Sequence, residues 1–237
     1  MSSFAVRIGL MYVKGLSEDA ARRVIAARTS GPLRSIEDLA RRARLDQGSL
    51  KRLAESGALA GLEPGRRQAF WESLGHVAED ETHLPLDAPE PSVALKPLDA
   101  FETIRWDYAA TGHSALGHPL APLRDQLAAR GLPDAAEVCE LPNGRRAHYA
   151  GLVICRQRPG TANGVVFMTL EDETGFVNVV VWENVYRKHE LLVKTASFLG
   201  VSGKIQAEAG VVHLIAHKLW IPNLDAGPAT PQSRDFH

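Results

Sequence analysis

Val165-Val166-Phe167-Met168-Thr169-Leu170-Glu171-Asp172-Glu173-Thr174-Gly175 carries a period of two that ends in an acidic turn closed by glycine. In a strand, successive side chains point to opposite faces. Val166, Met168 and Leu170 therefore share one face, and Phe167 and Thr169 share the other. An aliphatic face of this kind suits a protein interior, which leaves Phe167 pointing outward. Asp172 and its acidic neighbours sit where the strand ends, and a turn accounts for them better than a catalytic cluster does.

Outward from this stretch the same period recurs. Strand patterns run over 147–157, 165–171, 176–182, 197–206 and 211–220, most of them separated by glycine-containing turns. A helical pattern from Glu183 to Val193 falls between the third and fourth. Five short strands with a helix in that place are the order of an OB-fold β-barrel, expected over 144–222. The segment 223–237, rich in Pro, Ala and polar residues, reads as a flexible tail. Upstream, residues 1–75 read as short helices with N-caps at Ser17, Ser35 and Asp46 and a glycine stop at Gly57. Ala21, Val24 and Ile25 form the expected apolar face of the first. Phe70, Trp71 and Leu74 do so for a helix beginning near Pro64. Between the two halves, 76–143 reads as an acidic, proline-rich linker (76–100) followed by connecting helices broken at Gly117-His118-Pro119 and Gly131-Leu132-Pro133. The expected fold class is multi-domain α+β, an all-α N-terminal domain followed by a five-stranded barrel.

Charge follows the same divisions. Residues 1–75 hold 13 Lys/Arg against 8 Asp/Glu, 76–143 hold 4 against 12, and 144–237 hold 10 against 8. The overall charge of −1 thus conceals a basic head and an acidic middle, a distribution that suits a polyanionic partner. Cys139 and Cys155 form neither a metal-type pair nor a disulfide framework. No signal-peptide pattern is visible, and no apolar run approaches the roughly 20 residues that span a bilayer. A soluble, cytoplasmic protein without a membrane partner is expected.

Two helical elements carry binding chemistry. Leu10, Val13, Lys14-Gly15-Leu16-Ser17, Ala21, Val24 and Ile25 follow the spacing of a helix-hairpin-helix motif. Gly15 allows the tight reversal, Leu16 enters the small core, and the amides that follow open a helix N-terminus able to hold a phosphate. Lys14 adds a cation, and Ser17 stands where the motif usually has its second glycine. A second, weaker hairpin runs from Leu50 to Leu59, with Gly57 at the turn and Lys51 and Arg52 free to face outward. Paired hairpins of this type hold duplex backbone without reading sequence. In the barrel, Phe167 and Thr169 on the outer face, with Trp182 at the end of the third strand, offer a platform for stacking bases. Arg156 and Arg158 end the first strand and are read as phosphate ligands. His213 and His217 have a helical metal spacing but lie in a strand pattern, so no metal site is expected. No catalytic residues are expected either, since no phosphate loop, Asp-x-Asp pair or nucleophile–base pairing stands out.

With both modules placed, the chain resembles the C-terminal region of the error-prone branch of bacterial C-family DNA polymerases, alpha-subunit-like. The residues carrying this are Arg7-Ile8-Gly9-Leu10 through Leu16, Ser56-Gly57-Ala58-Leu59, Asp107-Tyr108, Thr111-Gly112-His113 and Gly117-His118-Pro119-Leu120. Gly151 through Thr161, Phe167 through Gly175 and Ser233-Arg234-Asp235-Phe236-His237 complete the set. The resemblance implies a template-directed nucleotidyltransferase of DNA replication and repair, acting in damage-induced translesion synthesis. It also implies a Y-family-like accessory protein and the sliding clamp as partners, and Mg²⁺ in the polymerase core. The metal-binding domain, palm, thumb and fingers have no counterpart here. The chain itself is thus expected to be inactive alone, to need no cofactor, and to bind duplex and single-stranded DNA. An anticodon-binding OB module of a tRNA synthetase shares the Phe-x-x-Leu-x-Asp-x-x-Gly pattern of 167–175, and a protein-interaction module is the third reading.

Overall fold

Side-chain caps start three of the N-terminal helices. In the computed structural model, which describes residues 8–75, 95–161, 163–208, 210–230 and 234–236, Ser17 Oγ accepts from the Ala20 amide and opens α1 (Glu18–Thr29). Ser35 Oγ accepts from Asp38 N and opens α2 (Ile36–Ala43). Asp46 Oδ1 accepts from Ser49 N at 2.6 Å and opens α3 (Gln47–Glu55). Each cap satisfies a helix-end amide that has no partner within the helix. Gly57 at φ +74° ends α3 through Gly57 N→Ala54 O and Ala58 N→Leu53 O, the paired bonds of a Schellman stop. Then come α4 (Arg66–Gly75) and α5 (Ala100–Ala110), the latter capped reciprocally by Asp99 and Glu102.

Contacts divide the chain into two units, Met1–Gly112 and His113–His237. Helix α5, read from sequence as part of a connector, belongs to the first. Most of the expected acidic linker, 76–94, lies outside the described residues. The first unit's core gathers Ala20 and Ala27 of α1, Leu39 and Ala43 of α2, Leu50 and Leu53 of α3 and Ala69 of α4. Of the expected apolar face of α1, Val24 packs on the core, but Ile25 does not. Ala20, Val24 and Ala27 point inward and Ile25 is exposed. On α4, Phe70 packs on the core as expected and Ala69 and Ser73 are buried, whereas Trp71 and Leu74 are exposed. Ser73 tolerates burial because its hydroxyl donates to Ala69 O at 2.6 Å.

In the second unit α6 (Arg124–Ala129) and α7 (Ala135–Cys139) precede the barrel strands β1 (Arg146–Gln157), β2 (Val166–Asp172) and β3 (Gly175–Val181). The helical stretch expected at 183–193 is two short helices, α8 (Glu183–Lys188) and α9 (Glu190–Thr195), meeting at His189. Strands β4 (Phe198–Glu208) and β5 (Val211–Trp220) follow. The order β2-β3-β5-β4-β1 closes on itself through β1–β2, giving the expected five-stranded OB-type barrel. Irregular register leaves an extra residue at Ile154 of β1 and at His217 of β5, which bends these two strands around the closure. Val166, Met168, Leu170, Val177, Val179, Leu199, Val201, Ile205 and Leu214 fill the interior, joined by Val138 of α7 and Val193 of α9. The segment read as a flexible tail contributes β6 (Arg234–Phe236), which pairs parallel to β1 at Cys155–Gln157.

Candidate nucleic-acid interface

At the first hairpin, Leu10–Tyr12 forms a single 3-10 turn and Val13 is buried. Gly15 turns the chain at φ +77°, and a Cβ there would lie 3.1 Å from Arg52 Nε. Leu16 packs on the helical core, while Lys14, Gly15 and Ser17 are exposed. The Lys14 amide donates to Ala110 O and its ammonium to Tyr108 O at 2.9 Å, so this cation also closes the carbonyl end of α5. Arg52 is exposed and pairs with Glu55 at 3.3 Å. Lys51, read as free to face outward, is half-buried with Nζ 5.5 Å from the Phe70 ring centroid. The hairpin thus brings together Lys14, Gly15, Leu16, Ser17 and Arg52, and draws Lys51 away.

Glu18 and Asp19 occupy the first turn of α1, so a phosphate at this turn has to compete with their charge. Gly15→Val should lower duplex-DNA affinity at least fivefold and reduce the melting temperature of the helical unit, because valine resists positive φ and would meet Arg52. Unchanged affinity in a filter-binding titration would leave the hairpin as scaffold only.

On the barrel, alternation holds along β2: Val166, Met168 and Leu170 are buried and Phe167 is 39% exposed. Register extends the outer surface into rows. Gln157, Phe167, Val180, Ile215 and Lys204 are cross-strand neighbours in one row. Cys155, Thr169, Asn178, His213 and Gln206 form the next, and Glu171 beside Phe176 begins a third. Trp182, 52% exposed, stands one residue past the end of β3 at the N-cap of α8, so the third strand stops short of it. Phe176, 56% exposed, was missed in the sequence reading, although the same alternation from Gly175 places it outward.

The two arginines at the end of β1 part company. Arg156 is buried: Nε donates to Val193 O at 2.7 Å, Nη2 to Ala196 O, and Nη1 pairs with Asp235 at 3.2 Å. This corrects the reading of Arg156 as a phosphate ligand, since its guanidinium is committed to closing α9 and holding β6. Arg158 remains exposed, its guanidinium 4.3 Å from the Tyr186 ring centroid and 3.3 Å from the hydroxyl.

The acidic turn is structural. The buried Asp172 carboxylate accepts from Thr174 N and Oγ1 through Oδ1, and from Ala135 N and Arg124 through Oδ2. Arg124 also reaches Glu173 at 2.5 Å. Burial works against the Glu173 charge, but the guanidinium wins and holds this carboxyl below its usual range. Burial, with Asp172 nearby, pushes the Tyr149 phenol far above its ordinary value. His213 and His217 lie on β5. No described helix is long and apolar enough to cross a membrane.

A helix-hairpin-helix motif model matches residues 2–69, and a model for an OB-fold nucleic acid binding domain matches 150–222. A curated error-prone DNA polymerase of Aromatoleum aromaticum is 44% identical over 98% of this chain, and one of Methylococcus capsulatus is 42% identical over 99%. The chain is homologous to part of the error-prone DNA polymerases. It spans about a fifth of their length, 22% of each of these two. Among solved structures, asparaginyl-tRNA synthetase from Pyrococcus horikoshii matches 43% of this chain and 23% of its own, at 24% identity and a TM-score of 0.34. Within the region shared with the error-prone polymerases, the hairpin and barrel matches enclose the two groups of exposed residues described above.

Proposed function

We propose that this chain is the DNA-holding, C-terminal portion of an error-prone polymerase, with the hairpins gripping duplex backbone and the barrel's outer face holding single-stranded template. In this reading, nucleotidyl transfer with Mg²⁺, translesion synthesis, and docking of the accessory protein and sliding clamp belong to the whole enzyme. The observation that carries the reading is the exposed pair Phe167 and Phe176 on the outer face of β2 and β3 in a closed barrel, with Trp182 exposed just beyond β3. Bases stack on such rings whatever their sequence, and the exposed Arg158 lies at the end of β1 to meet phosphate.

Phe167→Ala in the full chain should weaken single-stranded DNA binding by about 1–3 kcal/mol, with the melting temperature nearly unchanged because the ring lies outside the core. Fluorescence anisotropy with a labelled oligonucleotide measures the first and calorimetry the second. A variant that melts early yet binds normally per folded molecule overturns the reading.

A further inference from the structure

Between the two aromatic rows of the barrel face lies a polar one, and its donors point one way. Thr169, Asn178 and His213 are cross-strand neighbours on β2, β3 and β5, so their side chains sit at strand spacing, roughly 5 Å apart. Phe167 is two residues before Thr169 and Phe176 two before Asn178, which brackets the row at roughly 6–7 Å on either side. Thr169 Oγ1 donates to Asn178 Oδ1 at 3.3 Å. That bond occupies the amide oxygen and leaves the exposed Asn178 Nδ2 hydrogens for a ligand. His213 is half-exposed, with Nδ1 buried and without a hydrogen-bond partner among the described residues. A buried nitrogen without a partner is tolerated better as a lone pair than as an N–H. The ring proton therefore belongs on Nε2, the edge that His213 turns outward.

We infer that Asn178 and His213 form a base-reading subsite that selects bases with two neighbouring acceptors on one edge, cytosine and guanine, over thymine and adenine. Two adjacent donors match the N3 and O2 of cytosine or the O6 and N7 of guanine, whereas thymine sets an N3–H between its two carbonyls and adenine sets its amine between N1 and N7. The inference rests on the barrel-face reading above, in which the flanking aromatics stack the neighbouring bases. It adds a chemical preference that stacking alone does not give.

The test uses the full chain with oligothymidylate and oligocytidylate of about 15 nucleotides, both pyrimidines and so alike in stacking. The wild type should prefer cytidylate about tenfold. Asn178→Ala should bring cytidylate affinity down to the thymidylate level while leaving thymidylate unchanged. His213→Phe keeps a ring and removes the donor, and should act the same way. Both positions are on the outer face, and a melting curve for each variant confirms the fold. Equal wild-type affinities, or equal losses for both oligonucleotides in Asn178→Ala, would overturn the subsite and leave a phosphate or structural contact in its place. Phe167→Ala separates the two levels. If it weakens both oligonucleotides the face reading stands whatever Asn178 does, and if it weakens neither, the face reading itself fails.

Discussion

Asp172→Ala should cost the barrel unit about 3–5 kcal/mol, the cost of removing one partner from a buried ion pair. The carboxylate is fully buried and takes four donors at 2.7–3.1 Å: Thr174 N, Thr174 Oγ1, Ala135 N and Arg124 Nη2. Alanine leaves the buried Ala135 amide without its acceptor, Thr174 without its turn, and Arg124 with Glu173 as its remaining carboxylate. Water replaces none of these cheaply in a site this enclosed. For a unit of this size the loss corresponds to a drop in melting temperature of roughly 10–20 °C, read by calorimetry. Asp172→Asn keeps the shape but loses the charge, and should fall between alanine and the wild type. A shift of less than a few degrees for alanine would show that the turn holds without its hub. The neighbouring ion pair adds a pH signature. Because Arg124 depresses the folded-state value of Glu173, its contribution is complete above the ordinary glutamate range and is lost as pH falls through the depressed value.

Much of this architecture was legible because its signals are local. Ser17, Ser35 and Asp46 cap helices through bonds that span three residues, and the strands announce themselves by alternation, so element order followed directly. Where the sequence reading went astray, the deciding partner is remote. Arg156 looks like a surface cation beside Arg158, yet its guanidinium is claimed by carbonyls of α9 and by Asp235, 79 positions away. Arg124 and Asp172 are 48 residues apart, and nothing near either one advertises the pair. The face of α1 was misjudged for a different reason. Ala20, Ala21, Ala26 and Ala27 give a helix little contrast between its sides, so Ile25 drew the assignment toward itself. Phe176 was readable in principle, since the expected strand 176–182 begins with it and alternation from Asn178 places it outward. The candidate site divides the same way. Phe167 and Thr169 followed from alternation, whereas the row that joins Asn178 to His213 requires the parallel pairing of β3 with β5, which no local pattern encodes.

Gly203→Ala should be among the most damaging single-methyl additions in the barrel. Gly203 pairs with Ala216 at the irregular register of β4 and β5. A Cβ there would stand 2.8 Å from the Ile215 carbonyl carbon, closer still to its oxygen, and 3.1 Å from Leu214 Cδ1. The obstacle is backbone, so no rotamer change relieves it. Moving Ile215 means opening the β4–β5 ladder, which runs from Gly200 opposite Trp220 to Glu208 opposite Val211. Overpacking of a core commonly costs about 1–3 kcal/mol, and the broken ladder bonds add to it, so a loss of about 3 kcal/mol or more is expected. Gly160→Ala is the matched control, because nothing lies within 4 Å of a Cβ at that position and its stability should change by only a few tenths of a kcal/mol. Equilibrium denaturation of both variants makes the comparison. The same displacement would shift His213 and Ile215 on the outer face, so single-strand affinity should fall even in the folded fraction. If Gly203→Ala denatures with Gly160→Ala, the strands can part locally without loss, and the irregular register there is not what bends the barrel shut.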